Sequence, residues 1–577
     1  MFKFKFKRMR FAIPMIAALA LVACDDDDGD TPTNLPSGTI VDVAADNQDL
    51  TTLVAALTAA DLVGTLQGDG PFTVFAPRNQ AFLDLGADVV AGLLEEGNVD
   101  ILTRILTIHV IEGAAVFSGD LTDGQTVTTI EGEVLTIGVS GGAVTVNGAN
   151  VSTADVEATN GVIHIIDDVL VPAELNVYET ALLTPGTTTL AAAILAAGLD
   201  DDLQTAGPFT VFAPVNDGFG ALGSYSLDVL LDPANQALLA DVLTYHVVAD
   251  ELALADLTNG PLTTLEGGDI EINTALGTVN GVSINTTDVG ASNGIIHLID
   301  DVMLESLDIV ERAIITEETS TLVSAVVAGD LVDALSSPNG PYTVFAPVNA
   351  AFEALGTDRL DVILDPANQA LLQKILTYHV VDGAVLAGDL TDGLEVATLE
   401  GTNVTFDLSD PTMPKVNGAN IVATDIVTEN GVIHLVDAVL TENLDIVDVA
   451  TVEGFSTLVS LVELQGLTAT LRGDNGGAGY TVFAPTNDAF AELPSVPSNL
   501  TDVLLYHVVA ATVASGDLSD GQVVNTAYAG HDFTISIVLD AVLIEDESGN
   551  TVAVTVTDVP ASNGLIHVVD AVLIPTP

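Results

Sequence analysis

Short apolar runs that end in proline recur along the chain and predict buried strands. They read TVFAP and begin at Thr73, Thr210, Thr343 and Thr481. The residue before proline favours extended backbone, which suits the end of a strand. An asparagine stands two places after each proline and predicts the N-cap of a following helix. These asparagines are Asn79, Asn216, Asn349 and Asn487.

The pattern then becomes helical and afterwards alternates. In the run LDPANQALLADVLTYHVV from Leu231, apolar residues fall at i, i+1, i+4 and i+5, which makes one stripe on a helix. They are Leu238, Leu239, Val242 and Leu243. The chain becomes extended through His-Val-Val, and Asn-Gly before a later apolar run marks a tight turn between strands. Strands and helices are mixed without regular βαβ order, which predicts an α+β fold.

Three sequence blocks recur in the same order four times. Successive TVFAP blocks begin 137, 133 and 138 residues apart. A second block reads TIHVI from Thr107, TYHVV from Thr244 and Thr377, and LYHVV from Leu505. A third block reads NGVIHIID from Asn160, NGIIHLID from Asn293, NGVIHLVD from Asn430 and NGLIHVVD from Asn563. Solenoid repeats run about 20–50 residues, so this longer period predicts a string of whole domains.

These blocks resemble the fasciclin-like domain. Its two signature regions begin near TVFAPxNxAF and end near NGxIHxxD, with a Tyr-His pair between them. The resemblance covers roughly residues 38–577. It implies that each copy is a compact β-sandwich wedge flanked by helices. It also implies roles in cell adhesion and matrix contact, usually as tandem copies on secreted or membrane-anchored proteins.

The N-terminal residues predict a bacterial export signal rather than a domain. Five basic residues within residues 1–10 precede the uncharged run Phe11–Ala23, which is too short to span a membrane comfortably and suits a signal peptide. Leu21-Val22-Ala23-Cys24 resembles a lipobox, in which Cys24 is lipidated and becomes the first mature residue. The alternative is an ordinary signal peptide with an incidental cysteine.

An acidic run follows Cys24 and predicts a solvated tether. It also resembles the signal that sends Bacteroidetes lipoproteins to the outer face of the outer membrane. Its aspartates are Asp25, Asp26, Asp27 and Asp28. We therefore divide the chain into a signal peptide (1–23), an acidic tether (24–37) and four fasciclin-like domains (38–173, 174–306, 307–443 and 444–577).

The charge of the chain excludes some classes of partner. The sequence has 81 acidic and 12 basic residues. All the acids but only seven of the bases follow residue 23, so the remainder carries a net charge of −74. Such a surface repels phosphate backbones and anionic lipid headgroups, which argues against nucleic acid as a partner. Cys24 is the one cysteine, so no intrachain disulfide forms.

Each repeat carries two histidines, and two interpretations are open for them. They are His109 and His164, His246 and His297, His379 and His434, and His507 and His567. Apolar neighbours favour imidazoles that hold backbone in or beside the core. A metal or catalytic site is the alternative, but no second ligand recurs at His-x-His or Cys-x-x-Cys spacing. We predict no metal site and no cofactor. The ninth histidine, His531, has no counterpart and is expected to be exposed.

The Tyr-His pairs resemble the motif by which animal fasciclin-domain proteins bind integrins. They are Tyr245 and His246, Tyr378 and His379, and Tyr506 and His507. The first repeat departs, with Ile108 before His109. If this stretch is a strand, the two side chains point to opposite faces and one is buried. We carry the pairs forward as candidate contacts, with core packing as the alternative.

No enzyme signature is present, and we predict a non-catalytic protein. The sequence has no Gly-x-Ser-x-Gly elbow, P-loop or His-Glu-x-x-His motif. A glycosidase has no specific support, because acidic residues occur throughout. Aspartate clusters such as Asp200 to Asp202, and Asp300 with Asp301, have the chemistry to hold Ca²⁺ weakly. Otherwise they form a solvated acidic surface.

We therefore expect a lipid-anchored, surface-exposed protein of the outer membrane. Its tandem domains would mediate adhesion or contact with matrix protein or polysaccharide, with avidity from linked weak sites. A binding protein for a glycan or small ligand, in the periplasm or at the surface, is the alternative function. A deep pocket with convergent polar groups would favour that alternative.

Overall fold

The computed structural model describes residues 38–576. They form two compact units. Of these residues, the first unit contains 38–81 and Ile105–Leu170, and the second contains Phe82–Arg104 and 171–576. The second, third and fourth repeats therefore lie in the second unit. No helix in the described residues is both long and apolar enough to span a membrane.

The first repeat has a seven-stranded sheet. Its strands are β1 (Phe72–Pro77), β2 (Val110–Glu112), β3 (Thr126–Thr128), β4 (Val134–Ser140), β5 (Ala143–Val146), β6 (Ala149–Ala158) and β7 (Gly161–Ile166). Their order across the sheet is β2-β1-β7-β6-β5-β4-β3. The TVFAP strand, β1, pairs in parallel with β7, and every other pair of neighbours is antiparallel.

The other three repeats have the same strand order. The strands of the second are Phe209–Pro214, Val247–Val248, Gly260–Thr263, Asp269–Asn273, Thr278–Val279, Val282–Ala291 and Gly294–Ile299. Those of the third are Tyr342–Pro347, Val380–Asp382, Glu395–Ala397, Asn403–Asp407, Lys415–Val416, Ala419–Thr428 and Gly431–Val436. Those of the fourth are Tyr480–Pro485, Val508–Val509, Val523–Asn525, Asp532–Val538, Ala541–Glu545, Thr551–Ala561 and Gly564–Val569.

Three helices precede the TVFAP strand in each repeat, and two or three follow it. In the first repeat they are Ile40–Asp46, Thr51–Ala59, Val63–Leu66, Asn79–Leu85, Ala87–Leu93 and Val99–Thr107. In the second they are Val177–Leu183, Thr188–Ala197, Asp200–Gln204, Asn216–Ala221, Gly223–Leu230 and Gln236–Tyr245. In the third they are Ile309–Ile314, Ser320–Ala328, Val332–Leu335, Asn349–Leu355, Thr357–Ile363 and Gln369–Tyr378. The fourth has Ile446–Val452, Ser456–Leu464, Thr468–Leu471, Asn487–Ala491 and Leu500–Tyr506.

Short 3₁₀ turns join several of these elements. They are Gln48–Leu50, Glu96–Asn98, Ser118–Asp120, Pro233–Asn235, Glu317–Thr319, Pro366–Asn368, Ala387–Asp389, Asn475–Gly477 and Ser515–Asp517.

The first helix of each repeat begins at a capping box. In the third repeat the Asp308 carboxylate accepts the Glu311 N–H, and the Glu311 carboxylate accepts the Asp308 N–H. Two of the otherwise unpaired N–H groups of the helix start are thereby satisfied. The equivalent N-cap and acidic residues are Thr39 and Asp42, Asn176 and Glu179, and Asp445 and Asp448.

The apolar core explains why buried and exposed residues alternate along strands such as β4. In the first repeat Phe75 of β1, Ile137 of β4 and Ile166 of β7 belong to one buried cluster, so strands from both halves of the sheet cover the same core. Each fully buried side chain of this size stabilises the fold by about 1.5–3 kcal/mol. The third and fourth domains share a single apolar cluster, which contains Val344 and Val482.

The mixed α+β fold predicted from the pattern is confirmed, and so is the apolar helix stripe. Leu238, Leu239, Val242 and Leu243 are all buried in the helix Gln236–Tyr245. The predicted N-cap role of the four asparagines is wrong. Asn349 is the first residue of its helix, and its side-chain oxygen accepts the Thr321 N–H of an earlier helix. Asn79, Asn216 and Asn487 likewise accept from Thr52, Thr189 and Thr457.

Candidate functional site

The tyrosine of each Tyr-His pair ends a helix and is buried. In the third repeat Tyr378 is 2% exposed. Its hydroxyl donates to the Asn403 carbonyl oxygen at 3.2 Å and accepts from the Asn417 side chain at 2.6 Å. Tyr245 and Tyr506 are buried in the same position. Burial raises the pKa of both to about 12, so they remain protonated donors.

The histidine of each pair caps the same helix and joins it to a distant segment. The Nε2 atom of His379 accepts the Leu440 N–H at 2.9 Å. Its Nδ1 atom must then carry the hydrogen, which it donates to the Ile375 carbonyl at 2.8 Å. His109, His246 and His507 make the same two bonds. Burial lowers the pKa of all four to about 4, so they are neutral at neutral pH.

The Tyr-His pairs are therefore interior groups in the folded domains. The expectation that the two side chains point to opposite faces of a strand is wrong, because the tyrosine belongs to the last helical turn and the histidine to its C-cap. Ile108 replaces the tyrosine in the first repeat and is also buried. A partner protein would reach these side chains only if the domain opened.

The second histidine of each repeat holds two backbone segments beside the NGxIH strand. His434 Nε2 is 2.9 Å from the Val385 carbonyl oxygen, and Nδ1 accepts the Asp425 N–H at 3.2 Å. The imidazole stacks on Phe345 of the TVFAP strand, with the ring centroids 5.6 Å apart. Burial lowers the pKa of His434. His164, His297 and His567 make equivalent contacts. Both ring nitrogens are occupied by backbone, so neither is free for a metal.

An aspartate that the sequence analysis missed completes this arrangement. Asp425 lies at a bulge in the strand Ala419–Thr428, with a φ of 58°. Its carboxylate accepts the Ala387 N–H at 2.7 Å. Aspartate tolerates this left-handed conformation better than most residues. The equivalents are Asp155, Asp288 and Asp558. The available signal was an aspartate five residues before each Asn-Gly turn.

The asparagine of each Asn-Gly turn ties the two ends of the domain together. The Asn430 side-chain oxygen accepts the Ile309 N–H at 2.9 Å, across 121 residues of sequence. Its amide donates to the Leu335 and Asn339 carbonyls at 2.8 and 3.0 Å. Asn160, Asn293 and Asn563 make the same three contacts. The signature therefore serves the fold.

His531 is not exposed as expected. Its side chain is 21% exposed, and Nδ1 lies 2.8 Å from a Glu547 carboxylate oxygen. The ring also stacks on Tyr528 at a centroid distance of 4.0 Å. These two contacts give the fourth domain a partly covered polar cluster that the other repeats lack in sequence.

The acidic clusters do not converge as metal ligands in the described residues. Asp200, Asp201 and Asp202 occupy the first turn of a short helix. No group of three or more His, Cys, Asp or Glu side chains within residues 38–576 is placed to hold a metal ion.

Most of the few cations after residue 23 pair with acids at a first helix. Arg104 lies 2.6 Å from Glu179, which is in the first helix of the second repeat. Both residues belong to the second compact unit. Lys374 lies 2.7 Å from Asp448 of the fourth domain, and Arg472 lies 2.7 Å from the same carboxylate. Arg359 pairs with Glu453 at 2.8 Å. Although burial raises the pKa of Asp448, hydrogen bonds from Lys374 and Arg472 leave it lowered overall.

Several cavities among residues 38–576 have volumes of about 270–390 Å³. A cleft of about 390 Å³ lies between the third and fourth domains and is lined by Leu355, Arg359, Leu444, Val452, Glu453 and Ala561, among others. A pocket of about 280 Å³ in the second domain is almost wholly apolar, and His246 and Leu265 are among the residues that line it. Cys24 and Asp25 to Asp28 lie outside the described residues.

Comparison with known proteins decides the family. A model of the fasciclin domain matches residues 48–172, 185–305, 317–442 and 453–575. The chain belongs to the fasciclin family. One fasciclin domain matches each repeat, which confirms four tandem copies of an α+β domain.

Several curated fasciclin proteins are similar over long stretches. The pig transforming growth factor-beta-induced protein ig-h3 is 30% identical over 529 residues, which is 88% of this chain and 74% of that protein. Human periostin is 29% identical over 541 residues, 90% of this chain and 61% of its own. The Synechocystis protein sll1483 is 52% identical over 134 residues, 23% of this chain and 73% of its own. A solved fasciclin domain pair from the insect cell adhesion molecule Fasciclin I covers 45% of this chain and 97% of its own, at 16% identity and a TM-score of 0.22.

Proposed function

We propose that this chain is a non-catalytic adhesion protein of the bacterial cell surface. It is held in the outer membrane by lipid on Cys24, and its tandem fasciclin domains contact matrix protein or polysaccharide. Fasciclin domains are found in adhesion proteins, and the match to ig-h3 along 88% of this chain is the observation that carries the proposal. Linked copies of a weak site would act together through avidity.

The buried signature residues support contact through the exposed faces of the domains. Tyr378, His379 and His434 are all engaged inside the third domain. The exposed surface is strongly acidic, because 81 acids stand against 12 bases in the whole sequence. A cationic partner suits such a surface best.

Attachment is tested by deleting the gene and restoring it. The proposal expects cell–cell, biofilm or polysaccharide attachment to fall in the deletion strain and to return with the wild-type gene. A variant gene that lacks residues 38–576 but keeps the first 37 serves as the control for the anchor alone. Attachment that is unchanged by deletion contradicts the adhesive role.

The lipid anchor is tested with Cys24→Ser. The variant is expected to lose fatty-acid labelling, because it lacks the thiol that carries the lipid. It should leave the membrane fraction or remain uncleaved, because stable anchoring needs the several acyl chains that Cys24 would carry. Ser37→Ala, in the same tether, is the control and should behave as wild type. A Cys24→Ser protein that is still labelled, processed and membrane-bound would overturn the anchor.

Surface exposure is tested separately at the acidic tether. Changing Asp25, Asp26, Asp27 and Asp28 to Ala should leave the lipid label intact and keep the protein on the periplasmic side. Protease added to whole cells should then cleave the wild-type protein but not this variant. Equal cleavage of both would mean that the aspartates are not an export signal.

A glycan or small-ligand binding protein is the alternative, favoured by the cleft of about 390 Å³ between the third and fourth domains. Sites at domain interfaces with mixed apolar and polar lining are common ligand sites. Binding on a glycan and small-molecule array should be abolished by Ala561→Trp, which fills the cleft, and retained by Ala541→Trp at an exposed strand position. Binding that survives both changes places the ligand elsewhere.

A further inference from the structure

The first and third domain junctions each contain an ion pair at equivalent positions. In each, the capping-box acid at the first helix of the following domain faces a basic residue of the preceding domain. That basic residue stands five places before the histidine that caps its helix. At the first junction this pair is Arg104 and Glu179, 2.6 Å apart. At the third junction it is Lys374 and Asp448, 2.7 Å apart. Opposite charges at this short distance favour closure of the two surfaces.

The middle junction has two acids in these positions. Asp241 stands five residues before His246, where the other junctions have Arg104 and Lys374. It faces Glu311, the capping-box acid of the third domain, closely enough to act on its charge. Like charges repel where the other junctions attract.

Burial differs in the way that repulsion predicts. Glu179 is 4% exposed and Asp448 is 3% exposed, so the acids of the first and third junctions are covered. Glu311 is only half-buried, and Asp241 is exposed. The middle junction is therefore less closed around its acid than the two junctions that have a basic partner.

Unpaired polar groups at the middle junction add a second cost to closure. Arg312, which follows Glu311, has buried Nε and Nη1 atoms without a hydrogen-bond partner among residues 38–576. The buried Ser306 hydroxyl, just before the third domain, is also unpaired within that range. Buried polar groups without partners destabilise the packed state. The domains remain joined by an uncharged contact, in which the Ser226 hydroxyl donates to the Ile315 carbonyl at 2.6 Å.

We propose that the junction between the second and third domains is a pH-dependent hinge, which opens when Asp241 and Glu311 are both ionised and closes when one of them takes up a proton. The third junction, which has Lys374 in place of Asp241, stays closed over the same range. This inference does not depend on the proposed adhesive role.

The charges around Glu311 support this direction. The groups that face it are Asp308 on its own helix, Asp241 of the second domain and Glu429 at the turn before the NGxIH strand. The nearest cation, Arg312, interacts instead with Glu305. Burial first, and then these carboxylates, raise the pKa of Glu311 to about 7, although the Asp308 N–H opposes the shift. Although Asp241 is exposed, the protein around it removes enough water to raise its pKa as well.

The sign of the pH dependence follows from linkage. A carboxyl with a raised pKa in the closed junction holds its proton there and releases it more easily in the open one, where its pKa is the ordinary 4.5. Closure is therefore favoured as the pH falls from about 7 towards 4.5 and is lost above about 7. For a half-buried group, screening by water reduces the effect to a change on the order of tenfold in the closed-to-open ratio.

The experiment measures distances across two junctions by double electron–electron resonance. The chain from residue 24 carries Cys24→Ser and spin labels at introduced cysteines, in buffer with a chelator to exclude divalent cations. Ala255→Cys with Ala354→Cys spans the middle junction, and Ala354→Cys with Ala541→Cys spans the third; all three sites are exposed. The distribution of distances across the middle junction should be broad at pH 8 and narrow at pH 5.5. The distribution across the third junction should be narrow at both pH values.

Two variants separate the hinge from a general effect of acid. Asp241→Lys restores the arrangement of the third junction at an exposed position, so the domain is expected to fold. Glu311→Gln removes the repelling charge. With either substitution, the distribution of distances across the middle junction should be narrow at pH 8 as well as at pH 5.5. Equal widths for the unmodified middle pair at the two pH values, or a pH response that survives both substitutions, would overturn the hinge.

Discussion

Four histidines in the described residues are held neutral by the backbone on both sides of the ring. In His379, Nδ1 donates to the Ile375 carbonyl and Nε2 accepts the Leu440 N–H. A second proton on Nε2 would oppose the Leu440 N–H directly, and burial removes the water that would solvate the charge. The imidazole therefore acts as a fixed crosslink between a helix end and the segment after the last strand.

We predict that the two sets of histidines differ in tautomer. Long-range ¹H–¹⁵N spectra should show Nδ1–H rings for His109, His246, His379 and His507 and Nε2–H rings for His164, His297, His434 and His567. At pH 5.5 the first set should still be neutral, because its pKa of about 4 lies below that pH. A charged imidazole in that set at pH 5.5 would show that burial is less complete than described.

The same four histidines, each with a pKa of about 4, make the free energy of unfolding depend on pH. An unfolded histidine has an ordinary pKa of 6.5, whereas the folded value is about 4, so the unfolded chain binds more protons between these limits. Stability from each such histidine is therefore present above pH 6.5 and is lost as the pH falls towards 4. The difference corresponds to about 3 kcal/mol for each domain at the acid limit.

We predict that Asn430→Ala destabilises the third domain by about 2–4 kcal/mol. The change leaves the Ile309 N–H and the Leu335 and Asn339 carbonyls without their partner, and each buried unpaired group costs about 1–3 kcal/mol. Asn403→Ala, at an exposed site in the same domain, should change stability by less than about 0.5 kcal/mol. Hydrogen exchange resolved by domain measures both. Equal effects would contradict the role of Asn430.

Sequence reasoning found these residue types but misplaced their partners. Asn349 was expected to cap the helix that it begins, yet its side chain caps a helix that starts 29 residues earlier. The Asn-Gly pattern predicts only a turn at Asn430, although its side-chain amide contacts residues about 90 and 120 positions away. Local preference identifies a residue that favours a cap or turn, whereas the group that it satisfies is set by tertiary packing.

At the scale of elements, the bulge in the sixth strand of each repeat fixes a neighbouring loop. The bulged aspartate has a positive φ in all four copies, and its carboxylate accepts an N–H from the segment after the second strand. A bulge bends its strand and redirects one side chain, here toward that segment. The histidine of the next strand accepts the N–H of the same aspartate.

We predict a graded response at this bulge in the third domain. Asp425→Asn keeps both a side-chain acceptor and a tolerance for the left-handed backbone, so it should cost less than about 1 kcal/mol. Asp425→Ala loses both and should lower the free energy of unfolding by about 2–3 kcal/mol. Chemical denaturation of the two variants beside wild type measures the difference. An alanine variant as stable as the asparagine variant would mean that the bulge carries no strain.

The helices were more predictable than their ends. The apolar stripe through Leu239 and Val242 has the helical period, so the helix was evident from sequence alone. Its end was not, because the sequence HVV favours extended structure and leaves open whether the preceding Tyr245 belongs to the helix or to the strand. Tyr245 is the last residue of the helix, and its hydroxyl donates to the Asp269 carbonyl at 2.9 Å.

At the scale of the whole molecule, charge is distributed very unevenly. Few bases follow residue 23, and four of them pair with carboxylates on or directly after a first helix. With 81 acids and seven bases after residue 23, most of the carboxylates have no basic partner. Self-repulsion of this kind destabilises compact domains, and salt screens it over about 10 Å at 0.1 M.

We predict that added salt raises thermal stability. Moving from about 0.05 M to about 1 M NaCl should raise the unfolding temperature of the domains, because exposed like charges are screened strongly and half-buried pairs such as Lys374 with Asp448 much less. Differential scanning calorimetry follows the change. A matched series in sucrose controls for general solvent exclusion. A lower unfolding temperature in salt would show that the ion pairs outweigh the repulsion.

The number and type of domains could be predicted from the sequence, but the contacts at their junctions could not. Three recurring blocks identified four copies, which the family match confirms. Arg104 and Glu179 are 75 residues apart, and Lys374 and Asp448 are 74 apart. With so many acids in the chain, nothing in the sequence singles out the one that meets a given base.

The strand order has a consequence for how the chain is made. The last strand of each repeat lies inside its sheet, between the TVFAP strand and the bulged strand. In the first repeat it pairs with residues that the ribosome releases about 90 positions earlier, from Phe72 to Pro77. No repeat can complete its sheet until its final residues have emerged, and such distant pairing is slow to form. Synthesis therefore delivers each domain open along its centre, and the Asn-Gly hairpin closes it last, one repeat after another.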